Sequence, residues 1–304
     1  MKILVLGASS FSGRWFSDVA RSAGHQVLGL SRPLWDLNSP GLAVVEAIDA
    51  GYDVAVNYAA LNVVAESWKH AADYYRTNVV GVARLAEQLK GVRKFVQVST
   101  PEVYGTTNVP LTEDAPHSPS TPYAASRSSA DTYLGLLHRQ NGFPVAFTRT
   151  VNIYGPGQQL YRIIPKTALC ALLGRRLPLE GGGVSTRSFL HVRDAAAATL
   201  RVLEDGRPGQ VYHTAHPDQV RIWTLVDRIC TTLGKKIEDV AEDAPERPGK
   251  DMNYRLDDSK IRTELGWRAM VSIPDGLTET LEWVRSELPK LRTQSTDYVH
   301  EAAP

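Results

Sequence analysis

The 304-residue chain has little that would tie it to a charged polymer or a bilayer. Its 34 Lys and Arg face 33 Asp and Glu, a formal net charge of +1, with no basic stripe and no acidic tail. Nucleic acid and membrane surfaces are therefore not expected as partners. No stretch approaches the ~18 apolar residues of a membrane span. The apolar run at residues 2–6 meets a Gly/Ser turn at once, too short for a secretory leader with its cleavage site, so a cytoplasmic setting is expected. Only two cysteines occur, Cys170 and Cys230, both within helical patterns, which fits buried free thiols rather than a disulfide framework. The eight histidines do not cluster. His213 and His216 are close in sequence, but no further Cys, His or carboxylate stands at ligand spacing, so no metal site is expected. Internal repeats and low-complexity segments are missing as well. A chain of this length has ample core for one large or two small domains.

What is present is an alternation of short apolar strands with amphipathic helices, the pattern of an α/β chain. Residues 2–6 read as a strand buried on both faces. They run into Gly7-Ala8-Ser9-Ser10-Phe11-Ser12-Gly13 and a helix to about residue 23. A glycine turn between a first strand and a helix offers backbone N–H groups to a pyrophosphate, so Gly7, Ser9, Ser10, Phe11, Ser12 and Gly13 are candidate dinucleotide ligands. A second strand, 26–30, ends in Ser31-Arg32 rather than in a carboxylate. A hydroxyl and a guanidinium suit a 2′-phosphate, which favours NADP, with NAD possible. Asp36 and Leu37 could contact the adenine edge. Strand 54–58 closes on Tyr58, Ala59 and Ala60, small enough at its end for a cofactor to approach the backbone. Residues 68–90 read as one long amphipathic helix carrying Asn78.

A fourth strand, 94–98, opens into Ser99-Thr100-Pro101-Glu102-Val103-Tyr104-Gly105. Ligands gather beyond the carboxyl ends of parallel strands, which puts Thr100 and Glu102 where chemistry would occur, as a hydroxyl donor and a base. Thr121-Pro122-Tyr123 starts a helix over 123–140, with Thr121 as cap and Pro122 in the first turn. Tyr123 and Arg127, four residues apart, share one face of it. A fixed cation one turn away is expected to lower the phenol's pKa and make Tyr123 a usable acid or base. Beyond a fifth strand, 144–149, come Asn152, a helix over 159–173 starting near Arg162, Thr186-Arg187-Ser188-Phe189, and the charged loop Glu246-Arg247-Pro248-Gly249-Lys250-Asp251. Residues past about 292 lack a core pattern and are expected to fray.

These motifs, in this order, resemble the extended short-chain dehydrogenases/reductases, in particular the NAD(P)-dependent nucleotide-sugar epimerase/dehydratase family and, within it, the sugar-nucleotide 4,6-dehydratases. The resemblance covers roughly residues 1–288. It implies a Rossmann-type doubly wound parallel sheet over 1–155, with 187–215 returning to it. A smaller mixed α/β substrate domain would take 156–186 and 216–292, and 293–304 would be a flexible tail. It implies that Tyr123 takes the proton of the sugar's 4-hydroxyl, Thr100 orients that oxygen, and Glu102 removes the carbon-5 proton. Arg127 would bond the nicotinamide ribose, and Asn78 would complete the cofactor contacts. Arg187 and Arg247 would hold the diphosphate, with Asn152 and Arg162 on the phosphate or sugar. Two copies would pair across helices 68–90 and 123–140. The chain departs from the pattern in two places: arginine stands where the family normally has lysine, at 127, and proline where many dehydratases have aspartate, at 101. Epimerase or 4-keto-sugar reductase chemistry, and a nucleotide-sugar-binding protein without turnover, stay open beside dehydration.

Overall fold

A computed structural model describes residues 1–39, 41–107, 109–246, 253 and 255–300; Arg247 and the end of the expected tail lie outside these. Six parallel strands form the main sheet, side by side as Val211–Thr214, Val145–Thr150, Lys94–Ser99, Val54–Asn57, Lys2–Leu6 and Gln26–Leu30. Strands two and three in chain order flank strand one, so the direction of winding reverses there and opens a crevice at the carboxyl ends. Alternate residues serve opposite faces, as the two-residue period of a strand requires. Ile3, Val5, Val54, Val56 and Val96 join Phe16 and Ala20 of helix Phe11–Ser22 and Ala196 and Leu200 of helix Val192–Asp205 in one core. Leu4, Leu6, Ala55 and Phe95 join Val82, Leu85, Ala130 and Leu134 in the other. At about 1.5–3 kcal/mol for each fully buried aliphatic side chain, these two layers dominate what holds the sheet.

A third core, including Tyr154, Leu169, Phe189, Leu225, Ile229, Leu277 and Leu281, lies among helices Ile163–Leu173, Ile222–Thr232 and Ile273–Ser286. It backs a small sheet ordered Gln219–Arg221, Thr186–His191, Asn152–Tyr154. Strand 186–191 thus belongs to the small sheet, and the chain rejoins the large one at Val192–Asp205 and Val211–Thr214 rather than from residue 187. Cys170 and Cys230 are free and buried. Among the described residues no helix is long and apolar enough to cross a membrane.

Two expectations fail. The helix over 68–90 is instead Val64–Ser67, Ala71–Tyr75, a π-helical stretch Arg76–Gly81, and Val82–Gln88. Tertiary hydrogen bonds override the local pattern. The Asn78 amide holds both Leu61 N and Leu61 O at 3.0 Å and Ser126 Oγ at 3.0 Å, and the Tyr74 hydroxyl donates to Val63 O at 2.6 Å. The segment after Leu291 also does not fray as far as it is described. Lys166 pairs with Asp297 at 3.2 Å, Tyr298 packs edge-on against Tyr161 at 5.3 Å, and His300 meets Asp73 at 2.9 Å.

Candidate active site

The glycine turn is built to let backbone pass close to backbone. Gly7 sits at φ 77°, and a Cβ there would lie 2.7 Å from Ala59 N, so only glycine fits where the turn abuts the end of strand Val54–Asn57. Gly13 is equally confined, its added Cβ falling 2.9 Å from Ser10 Oγ. Ser10 caps the helix by accepting from Gly13 N at 3.1 Å. Ser31 Oγ accepts from Ser9 N at 2.8 Å and donates to Leu30 O at 2.8 Å, which fixes the turn to the second strand. Arg32 forms an ion pair with Asp36 at 3.3 Å.

A cleft of about 650 Å³ opens beside this turn. It brings together Ser10, Phe11, Ser12, Tyr58 and Ala60 with Thr100, Glu102, Tyr123 and Arg127, and with Asn152, Arg162 and Arg187. Gly7, Ser9, Gly13, Ser31, Arg32, Asp36, Leu37, Ala59 and Asn78 are not among its lining residues. Asn78 is fully buried, and its amide is taken up by Leu61 and Ser126, so it shapes the cleft from behind.

The tyrosine helix, Pro122–Asn141, is capped by Thr121, whose hydroxyl accepts from Ala124 N at 3.1 Å, and stopped by Gly142 at φ 68°. Three polar contacts fix its inner face: Ser126 to Asn78, Arg127 Nη2 to Val98 O, and Asp131 Oδ2 accepting from Ser99 Oγ at 2.7 Å. Tyr123, Arg127 and Asp131 follow at four-residue intervals and face the carboxyl end of strand Lys94–Ser99. Thr100 caps the short turn Pro101–Tyr104, its hydroxyl 3.4 Å from Glu102 Oε2.

The electrostatics correct one expectation. The Tyr123 phenol is pushed up to about 12, first by burial and then by the Glu102 carboxylate. Arg127, a hydrogen bond with Thr100 and Arg162 pull it the other way without prevailing. Arg127 itself is 2 % exposed, and its Nη1 has no hydrogen-bond partner among the described residues. Arg127 lines the cleft that opens beside the glycine turn, and a buried guanidinium nitrogen without an acceptor there fits a bound group that brings acceptors, as a dinucleotide does.

Behind the Thr100–Gly105 loop lies a buried network that local sequence patterns did not reveal. Arg149 donates to the Tyr104 hydroxyl, contacts His117 Nε2 at 2.8 Å and pairs with Asp131 at 3.1 Å. Tyr104 in turn meets His213 Nε2 at 2.7 Å. Burial and the Arg149 charge depress His213 to about 3 and hold His117 below its ordinary value. Asp131 is not among the sequence-derived candidates above, and its place a further turn along the face that carries Tyr123 and Arg127 is the one pattern that could have pointed to it.

A family model described as "NAD dependent epimerase/dehydratase family" matches residues 3–215. A dTDP-glucose 4,6-dehydratase of Streptomyces niveus is 35% identical over 315 residues, covering 94% of this chain and 93% of that protein. The crystal structure of a dTDP-glucose 4,6-dehydratase from Streptomyces venezuelae with NAD bound superposes with a TM-score of 0.88 at 31% identity, covering 95% of this chain and 98% of that one. A structure of MoeE5 with UDP-glucose and NAD gives a TM-score of 0.88 at 26% identity, covering 95% of this chain and 100% of that one.

Proposed function

The chain belongs to the NAD-dependent epimerase/dehydratase family, and from that premise we propose that it is a nucleotide-sugar 4,6-dehydratase. The convergence of Tyr123, Thr100 and Glu102 in one cleft carries the reading. Bound NAD would supply the hydride acceptor for carbon 4 and the donor for carbon 6, held by the glycine turn and by Arg127. Tyr123 takes the proton of the sugar's 4-hydroxyl, and Thr100 orients that oxygen. Glu102 removes the proton at carbon 5, acidified by the neighbouring ketone. With Pro101 unable to act as an acid, the same Glu102 proton serves the departing 6-hydroxyl, so carbon 5 loses H, carbon 6 loses OH and one water leaves. Carbon 5 then regains a proton from solvent as carbon 6 is reduced, and Tyr123 gives up the proton it took from the 4-hydroxyl to solvent, so the net loss is one water. Arg187 and Arg162 suit the diphosphate oxygens, as does Arg247 outside the described residues. Asn152 suits a sugar or phosphate oxygen.

Between the two dinucleotides, Ser31 and Arg32 favour the 2′-phosphate of NADP. Asp36, paired to Arg32, opposes that charge, and the solved relatives named above hold NAD, so NAD is the reading adopted. The division into a dinucleotide-binding part and a sugar-binding part is likewise proposed, supported by the separate core around Tyr154 and Leu225. Two copies are proposed to pair across helices near 64–88 and 122–141, which expose Tyr75, Val80 and Leu136.

The test is to incubate the protein with NAD or NADP and nucleoside-diphosphate hexoses, dTDP-glucose and UDP-glucose first. Mass spectrometry reads loss of water, and deuterated solvent reads exchange at carbon 5. A product lighter by one water is expected, with Tyr123→Phe slowing it by roughly 10²–10⁴-fold. Epimerised sugar without loss of water would replace the reading with epimerase chemistry. Sugar nucleotide released unchanged would replace it with a binding function.

A further inference from the structure

Away from the reacting groups, one cluster of ligand-type side chains has no part in the proposed reaction. His70, Asp73 and His300 each present one ligand atom, and these atoms lie within 4.8 Å of one another. The imidazoles of His70 and His300 stack with centroids 3.9 Å apart and planes 7° from parallel. His300 Nε2 stands 2.9 Å from Asp73 Oδ2, and Glu66 Oε2 stands 3.9 Å from His70 Nε2. The His300 side chain is 9 % exposed, and its Nδ1 is buried without a hydrogen-bond partner among the described residues. A buried ring nitrogen without a partner is costly, and an ion held in the plane of each ring at a ring nitrogen, beside the carboxylates, would engage these groups once the rings turn out of their stack. Lys69 and Arg76 already lean on Glu66 and Asp73, at 3.1 and 3.7 Å, but both are more than half exposed, at 69 % and 53 %, so neither is buried with the imidazoles.

Two imidazoles with one or two carboxylates form a ligand set for zinc rather than for magnesium or calcium, which take oxygen. The cluster also joins distant parts of the chain. His70 and Asp73 belong to the start of helix Ala71–Tyr75, whereas His300 closely follows Asp297 and Tyr298, both of which line the cleft. We propose that His70, Asp73 and His300 bind a divalent transition-metal ion, zinc by its ligand chemistry, with Glu66 or water completing the shell. The ion clasps residues 296–300 against the cleft as part of its outer wall. The sequence gives no hint of this, because His300 is 227 residues from Asp73.

The experiment uses tag-free protein, stripped with a chelator and titrated with zinc against a chromophoric competitor, then with cobalt(II) for its visible spectrum. Wild type is expected to take up one ion per chain, and His70→Ala and His300→Ala none at the same free zinc. His300 lies near the end of the described chain, so its variant should keep the thermal unfolding of metal-free wild type. Zinc should also slow carboxypeptidase digestion of wild type and not of the variants. Equal uptake by wild type and variants, or no uptake by wild type at micromolar zinc, overturns the site. Uptake without protection of the C-terminal segment overturns the clasp.

Discussion

The buried pair of Arg149 and Asp131 should reveal how the tyrosine helix is held, because the two side chains are only 4 % and 3 % exposed. Arg149 Nη2 serves both Asp131 and His117, while Nε has no partner among the described residues; Asp131 Oδ2 serves Arg149 and Ser99, while Oδ1 has none among them. Each charge is therefore incompletely satisfied except by the other. Arg149→Met strands a carboxylate on one hydroxyl, and Asp131→Leu strands a guanidinium between Tyr104 and His117. Removal of one partner from such a pair costs about 3–5 kcal/mol. The double variant strands nothing comparable, because Tyr104 keeps His213 and His117 keeps Ser128 Oγ at 2.7 Å. It should lose less than either single variant, so that the coupling exceeds the larger single loss, at least about 3–5 kcal/mol. Urea unfolding of the four proteins at neutral pH measures this, provided the m-values agree. Single-variant losses that simply add in the double would show that the charges are solvated independently, and would remove the pair from any role in fixing the helix.

Two further outcomes follow from the pKa shifts. Because Glu102 helps hold the Tyr123 phenol protonated, Glu102→Gln should let the phenolate appear at lower pH; tyrosinate absorbance, differenced against Tyr123→Phe in each background, checks this, and an unmoved or upward titration refutes it. His213 is depressed to about 3 when folded, against ~6.5 unfolded. The unfolded chain therefore binds the extra proton between these values, and stability falls as pH drops below ~6.5, by up to about 1.4 kcal/mol per unit from this group. His117 and His191, also depressed by burial, act in the same direction. His213→Gln should flatten the dependence of the urea midpoint between pH 7 and pH 5, and an unchanged slope would place the acid sensitivity elsewhere.

What could be read from the chain depended on how locally each feature is determined. Strands 2–6 and 26–30 were legible to the residue, because each is a short apolar run closed by turn residues, the first buried on both faces and the second at the sheet edge. The glycine turn and the start of the tyrosine helix were legible for the same reason, since the positive φ of Gly7 and the helix starts at Ser10, Thr121 and Pro122 are set within a few residues, although Gly7 also admits the distant Ala59. The helix expected over 68–90 was not, because Asn78 turns inward to Leu61 and Ser126 and the backbone yields to those bonds. The sign of the Tyr123 shift failed likewise. Arg127 is visible four residues away in sequence, whereas burial and Glu102 reach the phenol only through the fold. Asp131 shows the limit most sharply. On a helix face it reads as a solvated carboxylate, and it becomes part of the site only because Arg149 arrives on a strand beneath it and Ser99 ends another. The polar residues behind a catalytic helix are defined by what packs against them, so they come last to a reader of sequence, although they hold the catalytic groups in place.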